Sequence, residues 1–417
     1  MASAPLAYSA HQIVIIGGGA AGLAVAARLM RLHNRLDVAV IEPAEFHYYQ
    51  PGWTLVGAGV FADTHTRRSM AGLMPMGVTW IRDAVASVEP DHNQLILANG
   101  QTIGYEHLIV CSGIVCDWNA IDGLADALGQ NGVCSNYRYD LAPYTWRCIQ
   151  DFAGGNAVFT AAPMPFKCPG APQKILYLAA DHFQRKGQPA ALHYYCVTPT
   201  IFGVPPFARA LEKVADRYGV ERHYQHNLVA VDGPGHVATF EQTGPDGQKT
   251  RIEQPFDLLH VTPPQRPADF IRTSALANAA GYVDVDKFSL RHVKYPNVHA
   301  LGDVASTPNS KTAGAVRQQA PVVVKNLLAQ LAGKEAAARY DGYGTCPLTT
   351  ANGRVMLAEF VYDGVVTPSF PLDPYVERRS MWWLKTSLLP FLYWEVMLRG
   401  YEINRPHHRV RNYAEPA

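Results

Sequence analysis

The sequence predicts an α/β chain with two Rossmann-like dinucleotide-binding units, followed by a C-terminal segment that associates with a membrane surface. Three observations carry this expectation. The apolar run Ile13-Val14-Ile15-Ile16 leads directly into Gly17-Gly18-Gly19-Ala20-Ala21-Gly22 and a helical pattern. From Ala157 the strand-turn-helix-strand grammar repeats, with prolines and Cys168 where glycines are expected. Near the end, Met381 to Arg399 is apolar and aromatic but broken by Lys385, Pro390 and Glu395. The expected boundaries are 1–120 with 285–340 for the first unit, 121–284 for the second and 341–417 for the C-terminal segment.

In the first unit, strand, G-x-G-x-x-G and helix occur in the order that a dinucleotide site needs. Gly17 permits the tight turn, Gly19 lets backbone approach a pyrophosphate, and Gly22 allows close helix packing. The helix N-terminus then faces phosphate charge. A second strand, Val38-Ala39-Val40-Ile41, ends at Glu42, twenty residues after Gly22, where a carboxylate meets the ribose hydroxyls of an adenosine.

Two later motifs point to FAD as the dinucleotide. Tyr105 to Gly113 resembles the strand and turn that follow the first unit in two-dinucleotide flavoproteins, and Asn297 to Val304 resembles their late FAD motif, with Asp303 toward the ribityl chain. The alternative for Asp303 is a turn residue after a buried strand. Ser310-Lys311-Thr312-Ala313-Gly314 opens a further helix, whose N-terminus and Lys311 would stabilise negative charge on reduced flavin. An exposed lysine at an ordinary helix start is the alternative.

The second unit reads as strand 157–161, helix 172–186, strand 191–196 and helix 206–218. It lacks both the glycine fingerprint and an acid after its second strand, so NADH is expected to be a poor donor. Cys168 lies beside Lys167 and just before a helix start at Pro172. A cation and a positive helix end both favour thiolate. A buried inert thiol is the competing reading. Cys346 lies 178 residues downstream in Asp341-Gly342-Tyr343-Gly344-Thr345-Cys346, which reads as a turn. Alone it is an ordinary loop cysteine; beside Cys168 it completes a redox pair.

Bulk composition excludes several classes. The 417 residues carry 36 basic and 35 acidic side chains, a net charge of +1 that offers no field for nucleic acid. Charged residues make up 17%, below the roughly 25% of ordinary soluble chains, which implies extensive internal or lipid-facing apolar surface. Seven cysteines form no C-x-x-C pair and do not read as a secreted disulfide framework. No metal is expected. The first strand begins near Gln12, so no signal or transit peptide is expected, and no run of eighteen uncharged apolar residues predicts a spanning helix. In the C-terminal segment, tryptophans at headgroup level and the cations Arg405, His407, His408, Arg409 and Arg411 suit a one-leaflet attachment with access to quinone. A core or dimer helix is the alternative.

Phe166 to Lys174, Tyr340 to Tyr343 with Cys346-Pro347-Leu348, His47-Tyr48-Tyr49-Gln50-Pro51 and Leu389 to Trp394 together resemble the sulfide:quinone oxidoreductases, especially the branch with the mitochondrial enzyme. The resemblance covers nearly the whole chain. It implies the FAD-dependent disulfide reductase fold on one membrane leaflet. Sulfide would attack a sulfur bridge between Cys168 and Cys346, leaving a persulfide on Cys346 and a sulfur anion on Cys168 that gives two electrons to FAD. Ubiquinone or a related quinone would then take the electrons, and sulfite, glutathione, another thiol or sulfide would take the sulfane sulfur. The resemblance assigns Ala20, Ala21, Glu42, Gln50, Val85, Asp303 and Lys311 to FAD, and Phe391, Tyr393 and Trp394 are quinone-side candidates. Cys134 receives no role, and self-assembly is left open. The rivals are an NADH:quinone reductase, a soluble flavin sulfide dehydrogenase and a non-enzymatic persulfide carrier. The expected location is a bacterial cytoplasmic membrane.

Overall fold

The structure, a computed structural model, describes residues 8–403. Its first sheet is built around the strand Tyr8–Ile16, which pairs in parallel with Val38–Ile41 on one side and Thr102–Val110 on the other. The strand starts earlier than Gln12. β-Branched side chains suit a pleated strand, and Ile13, Val14 and Ile15 have no exposed surface because helices or loops cover both faces. Val298–Ala300 adds to the same sheet beside Leu108–Val110, so chain from after the second unit returns to complete the first. The helices Ala20–Leu32 and Ala313–Leu331 pack together in one apolar cluster with Leu23, Val25, Val323 and Leu327.

A second, five-stranded parallel sheet is drawn from residues 133–260, in the order Val133–Cys134, Leu258–His260, Gly155–Ala161, Ala190–Cys196, Glu221–Tyr224. Its helices span Ala171–Lys186 and Pro205–Arg217. These bounds match the sequence reading within about two residues. The turn before Ala171 lies at the C-terminal ends of the strands, where parallel sheets present their ligand sites.

The stretch around Cys346 differs from expectation. It forms the strand Gly344–Ala351, antiparallel to Arg354–Phe360, with Cys346 opposite Ala358 and buried. β-Branched Thr345, Thr349 and Thr350 outweigh the two glycines ahead of them.

The C-terminal segment runs helically from Arg379 to Met397, with π-helical turns at Leu384–Leu388 and Leu392–Met397. No helix among the described residues is long and apolar enough to cross a membrane. The basic cluster 405–411 lies outside the described residues.

Candidate active site

The glycine loop has the shape the sequence implies. Gly17 is left-handed at φ +96°, and a side chain there would meet the Cys111 carbonyl at 2.6 Å. At Gly22 a Cβ would sit 1.8 Å from the Gly17 oxygen, so only hydrogen fits. Gly19 differs: nothing lies within 4 Å of where its Cβ would be, which leaves open space in front of the first turn of the helix that begins with Ala20 and Ala21. The Glu42 carboxylate is fixed at the rim by the N–H groups of Gly18, at 2.7 Å, and Ala44, at 2.8 Å. The Asp303 carboxylate has no hydrogen-bond partner among the described residues, and burial pushes its pKa up. An open phosphate cradle, a fixed acid and a second acid without a partner fit FAD.

Three further residues assigned to FAD also make contacts within the chain. Gln50 is exposed and accepts a hydrogen bond from Lys167 Nζ at 2.7 Å. Val85 turns into the apolar core with Val14 and Ile41. Lys311 is buried, and its ammonium donates to the carbonyls of Asp303 at 2.7 Å and Ala305 at 3.0 Å and lies over the Tyr282 ring. Burial lowers its pKa to about 8. Lys311 therefore clamps the Asp303 turn, and Thr312 caps the following helix through Ala315 N–H.

The two cysteines come together. Cys168 Sγ and Cys346 Sγ are 3.8 Å apart. Cys168 has a left-handed backbone at φ +52°, held by its N–H to the Lys311 carbonyl at 2.9 Å and by Ala171 N–H to its own carbonyl at 2.7 Å. The thiol turn is thus bonded directly to the segment that carries Asp303 and Lys311. Gly170 makes the approach possible: a Cβ there would stand 2.6 Å from Cys346 Sγ and 2.4 Å from Leu348 Cδ2.

The cation beside Cys168 is Lys174, not Lys167. Lys174 Nζ lies 2.9 Å from Cys168 Sγ, whereas Lys167 is drawn away to Gln50 and Trp53. The difference is helical geometry: Lys174 lies on the first turns of Ala171–Lys186 and its side chain reaches back toward the N-terminus. The Cys346 thiol hydrogen bond first and Lys174 second, against burial, hold Cys168 well below the usual thiol range. The same sulfur contact, then burial, pushes Cys346 well above it. The pair is therefore one thiolate and one thiol sharing a proton. Lys174 is fully buried, which opposes its charge, but the two sulfurs outweigh burial and keep it protonated.

A third buried lysine had no signal in the sequence. Lys385, which reads as a polar break in the C-terminal segment, is buried at the π-helical turn, where Lys174, Cys168 and Cys346 act on it electrostatically. Burial first and Lys174 second bring its pKa down to about 7. Inserted π turns re-aim side chains and recur at functional sites.

Phe391 is 55% exposed, as is Trp383 at 60%, whereas Tyr393 and Trp394 are buried. The Tyr393 hydroxyl bonds His47 Nε2 at 2.7 Å, and its ring lies 4.7 Å from that of Tyr49. His47 Nδ1 in turn lies 3.1 Å from the Gly18 carbonyl, so the C-terminal aromatics support the glycine loop from behind.

A cavity of about 510 Å³ opens beside the thiol turn, lined on one side by Pro165, Phe166 and Pro169 and on the other by Tyr282 and Lys311. It is large enough for a small thiol-bearing molecule.

Residues 11–139 match the pyridine nucleotide-disulphide oxidoreductase family. The fold resembles the crystal structure of the sulfide:quinone oxidoreductase from the bacterium Aquifex aeolicus, with a TM-score of 0.78 and 17% identity over 94% of this chain and 92% of that one. Identity is higher with curated proteins. The mitochondrial sulfide:quinone oxidoreductase of Mus musculus is 40% identical over 94% of this chain and 87% of its own length. That of Dictyostelium discoideum is 41% identical over 93% and 86%. Identity of about 40% over more than nine-tenths of the chain shows the family, and the chain belongs to the sulfide:quinone oxidoreductases.

Proposed function

We propose that the chain oxidises hydrogen sulfide at Cys168 and Cys346 and passes two electrons through FAD to a membrane quinone. The observation that carries this is the sulfur pair at 3.8 Å with Lys174 at 2.9 Å, bonded through Cys168 N–H to the segment bearing Asp303 and Lys311. In the oxidised protein, hydrosulfide attacks Cys346 Sγ, the bond to Cys168 Sγ breaks, and Cys346 keeps the added sulfur as a persulfide. Cys168 leaves as a thiolate because Lys174 donates to it. Lys385, with its pKa near 7, can hold or release a proton at Nζ as charge moves between the sulfurs. When bound, FAD supplies a two-electron acceptor that can be reoxidised by quinone. Gly17, Gly19, Gly22 and Glu42 would hold its adenosine end, and Asp303 its ribityl chain.

A small acceptor entering the 510 Å³ cavity would then remove the sulfane sulfur. Sulfite, glutathione, another thiol and sulfide itself all have the nucleophilic sulfur this step needs. Exposed Trp383 and Phe391 support attachment to one membrane leaflet. The related proteins are mitochondrial by name, which lends no support to a bacterial membrane. We also propose that residues 1–120 with 285–340 hold FAD, that 121–284 carry the thiol turn, and that 341–417 supply Cys346 and the membrane face.

Anaerobic titration tests the reading. Sulfide should bleach the flavin and added quinone should restore it. Bleaching by NADH alone would overturn the proposal in favour of an NADH:quinone reductase.

A further inference from the structure

The second sheet carries a group of side chains that the sulfide chemistry does not use. His193, Glu221 and His223 lie on its two outermost neighbouring strands, Ala190–Cys196 and the edge strand Glu221–Tyr224. These strands are parallel and in a register that sets His193 opposite Glu221 and Tyr195 opposite His223. Residues two apart on a strand share a face, so the pleat turns all three side chains the same way. Among the described residues this is the one place where three His, Cys, Asp or Glu ligand atoms lie within 4.8 Å of one another.

The separations are close to those of a metal site, with one Glu221 oxygen facing each histidine and all three ligand atoms within 4.8 Å of one another. His193 Nδ1 is 3.3 Å from His223 Nε2 and 3.4 Å from Glu221 Oε2, and His223 Nε2 is 3.5 Å from Glu221 Oε1. Zinc holds imidazole nitrogen and carboxylate oxygen at about 2.0–2.1 Å in a tetrahedron, which sets its ligand atoms about 3.3–3.4 Å apart. An octahedral ion at the same bond length would need them near 3 Å. The His223 ring is also fixed in place: it stacks on Tyr195 at 4.0 Å and 9°, and Tyr195 stacks on Phe240 at 3.8 Å and 13°. A ring held by packing loses little freedom on binding.

We propose that His193, His223 and Glu221 form a three-ligand tetrahedral site for a divalent cation of the zinc class, with its fourth position open to water or a small anion. Two imidazoles and one carboxylate suit zinc better than calcium or magnesium, which take oxygen alone. The Glu221 side chain is 63% exposed, so the ion enters from solvent. None of the three residues lines the cavity beside Cys168, so the site is separate from the thiol pair.

Cobalt(II) titration of the full-length FAD-loaded protein tests this, because four-coordinate cobalt gives intense visible bands to the red of flavin absorption. One equivalent should bind with such bands, and one equivalent of zinc should displace it. The Cys168→Ser and Cys346→Ser variants should keep the signal, which separates this site from the sulfurs. His193→Ala and His223→Ala should each weaken binding by at least the roughly 10–100-fold that loss of a supporting residue costs. Glu221→Gln changes an exposed side chain, leaves folding intact and should weaken binding in the same direction. Absence of the tetrahedral bands, or their persistence in Glu221→Gln together with either histidine variant, would overturn the proposal.

Discussion

The Lys174 ammonium lies 2.9 Å from the Cys168 sulfur, and that contact adds to the hydrogen bond between the sulfurs in giving the two cysteines different tasks. Cys168 is held as thiolate and Cys346 as thiol. In the bridged state, the sulfur that leaves best is the one whose anion is stabilised. Attack is therefore directed at Cys346 and electrons emerge at Cys168. Replacing Lys174 by Met weakens this bias. The midpoint of the pH profile for alkylation of reduced Cys168 by iodoacetamide should move up in step with the thiol pKa. An unchanged alkylation profile would show that Cys346 alone sets the ionisation.

Both sulfurs are needed if a bridge between them is opened and closed in each turnover. Cys168→Ser and Cys346→Ser should each lower sulfide-dependent quinone reduction by at least about 1,000-fold, the scale on which a lost nucleophile acts. The flavin should stay bound, because neither thiol takes part in the Gly17 to Gly22 cradle. Substantial turnover in either variant would mean that a single cysteine suffices.

Gly170 offers a test of spacing that leaves the sulfurs in place. Its backbone is in the ordinary helical region at φ −85°, so alanine adds no backbone strain. The added methyl would collide with Cys346 Sγ and Leu348 Cδ2, one of which must move. A displacement of about 1 Å at a reacting pair costs on the order of 100-fold. Gly170→Ala should show that loss in turnover with a normal flavin spectrum. Wild-type rates would show that the sulfurs meet by another route.

How much of this site is legible in the sequence depends on how local each signal is. The glycine loop and Glu42 are separated by one strand-helix-strand unit, and their spacing fixes their geometry. Cys168 is legible because it breaks a local pattern. Lys174 falls within the same motif, but choosing it over the adjacent Lys167 requires knowing that the helix starts at Ala171. Lys385 is not legible at all. It comes from a segment that reads as a membrane face, and only two π-helical turns, which leave no periodic signature, bring it to the sulfurs. Tyr393 and Trp394 read from aromatic composition as quinone-side candidates, and what that composition does not reveal is that the turns set both against His47 and Tyr49.

The C-terminal segment therefore has two faces, and deleting it whole would confuse them. Removing residues 381–417 takes away Lys385 and the support behind the glycine loop together with any lipid contact. The double variant Trp383→Glu and Phe391→Glu alters only exposed positions. Burial of one large apolar side chain is worth about 1.5–3 kcal/mol, so the pair should account for a large part of membrane affinity. Vesicle sedimentation should show reduced binding, while reduction by a water-soluble quinone continues. Unchanged sedimentation would place the membrane contact elsewhere.

Lys385 makes the sharpest prediction, because stability and activity should move in opposite directions. Its folded pKa of about 7 lies below its ordinary value of 10.5. Between those values the unfolded chain binds a proton that the folded chain does not, so this group makes stability rise with pH across that window. Below about pH 7 both states are protonated and the penalty is at its full size, about 5 kcal/mol as an upper bound. Lys385→Met removes the penalty and fills the same volume with apolar chain. In reducing buffer, denaturant titration should find the variant more stable than the parent, most of all at or below pH 7, with the difference vanishing toward pH 10.5. Sulfide-dependent quinone reduction should nonetheless fall, because a cation that can lose its proton near neutrality has been taken from beside the sulfurs. A variant with unchanged stability would show that Lys385 is solvated in the folded protein. A stabilised variant with full activity would show that its charge serves no step of the reaction.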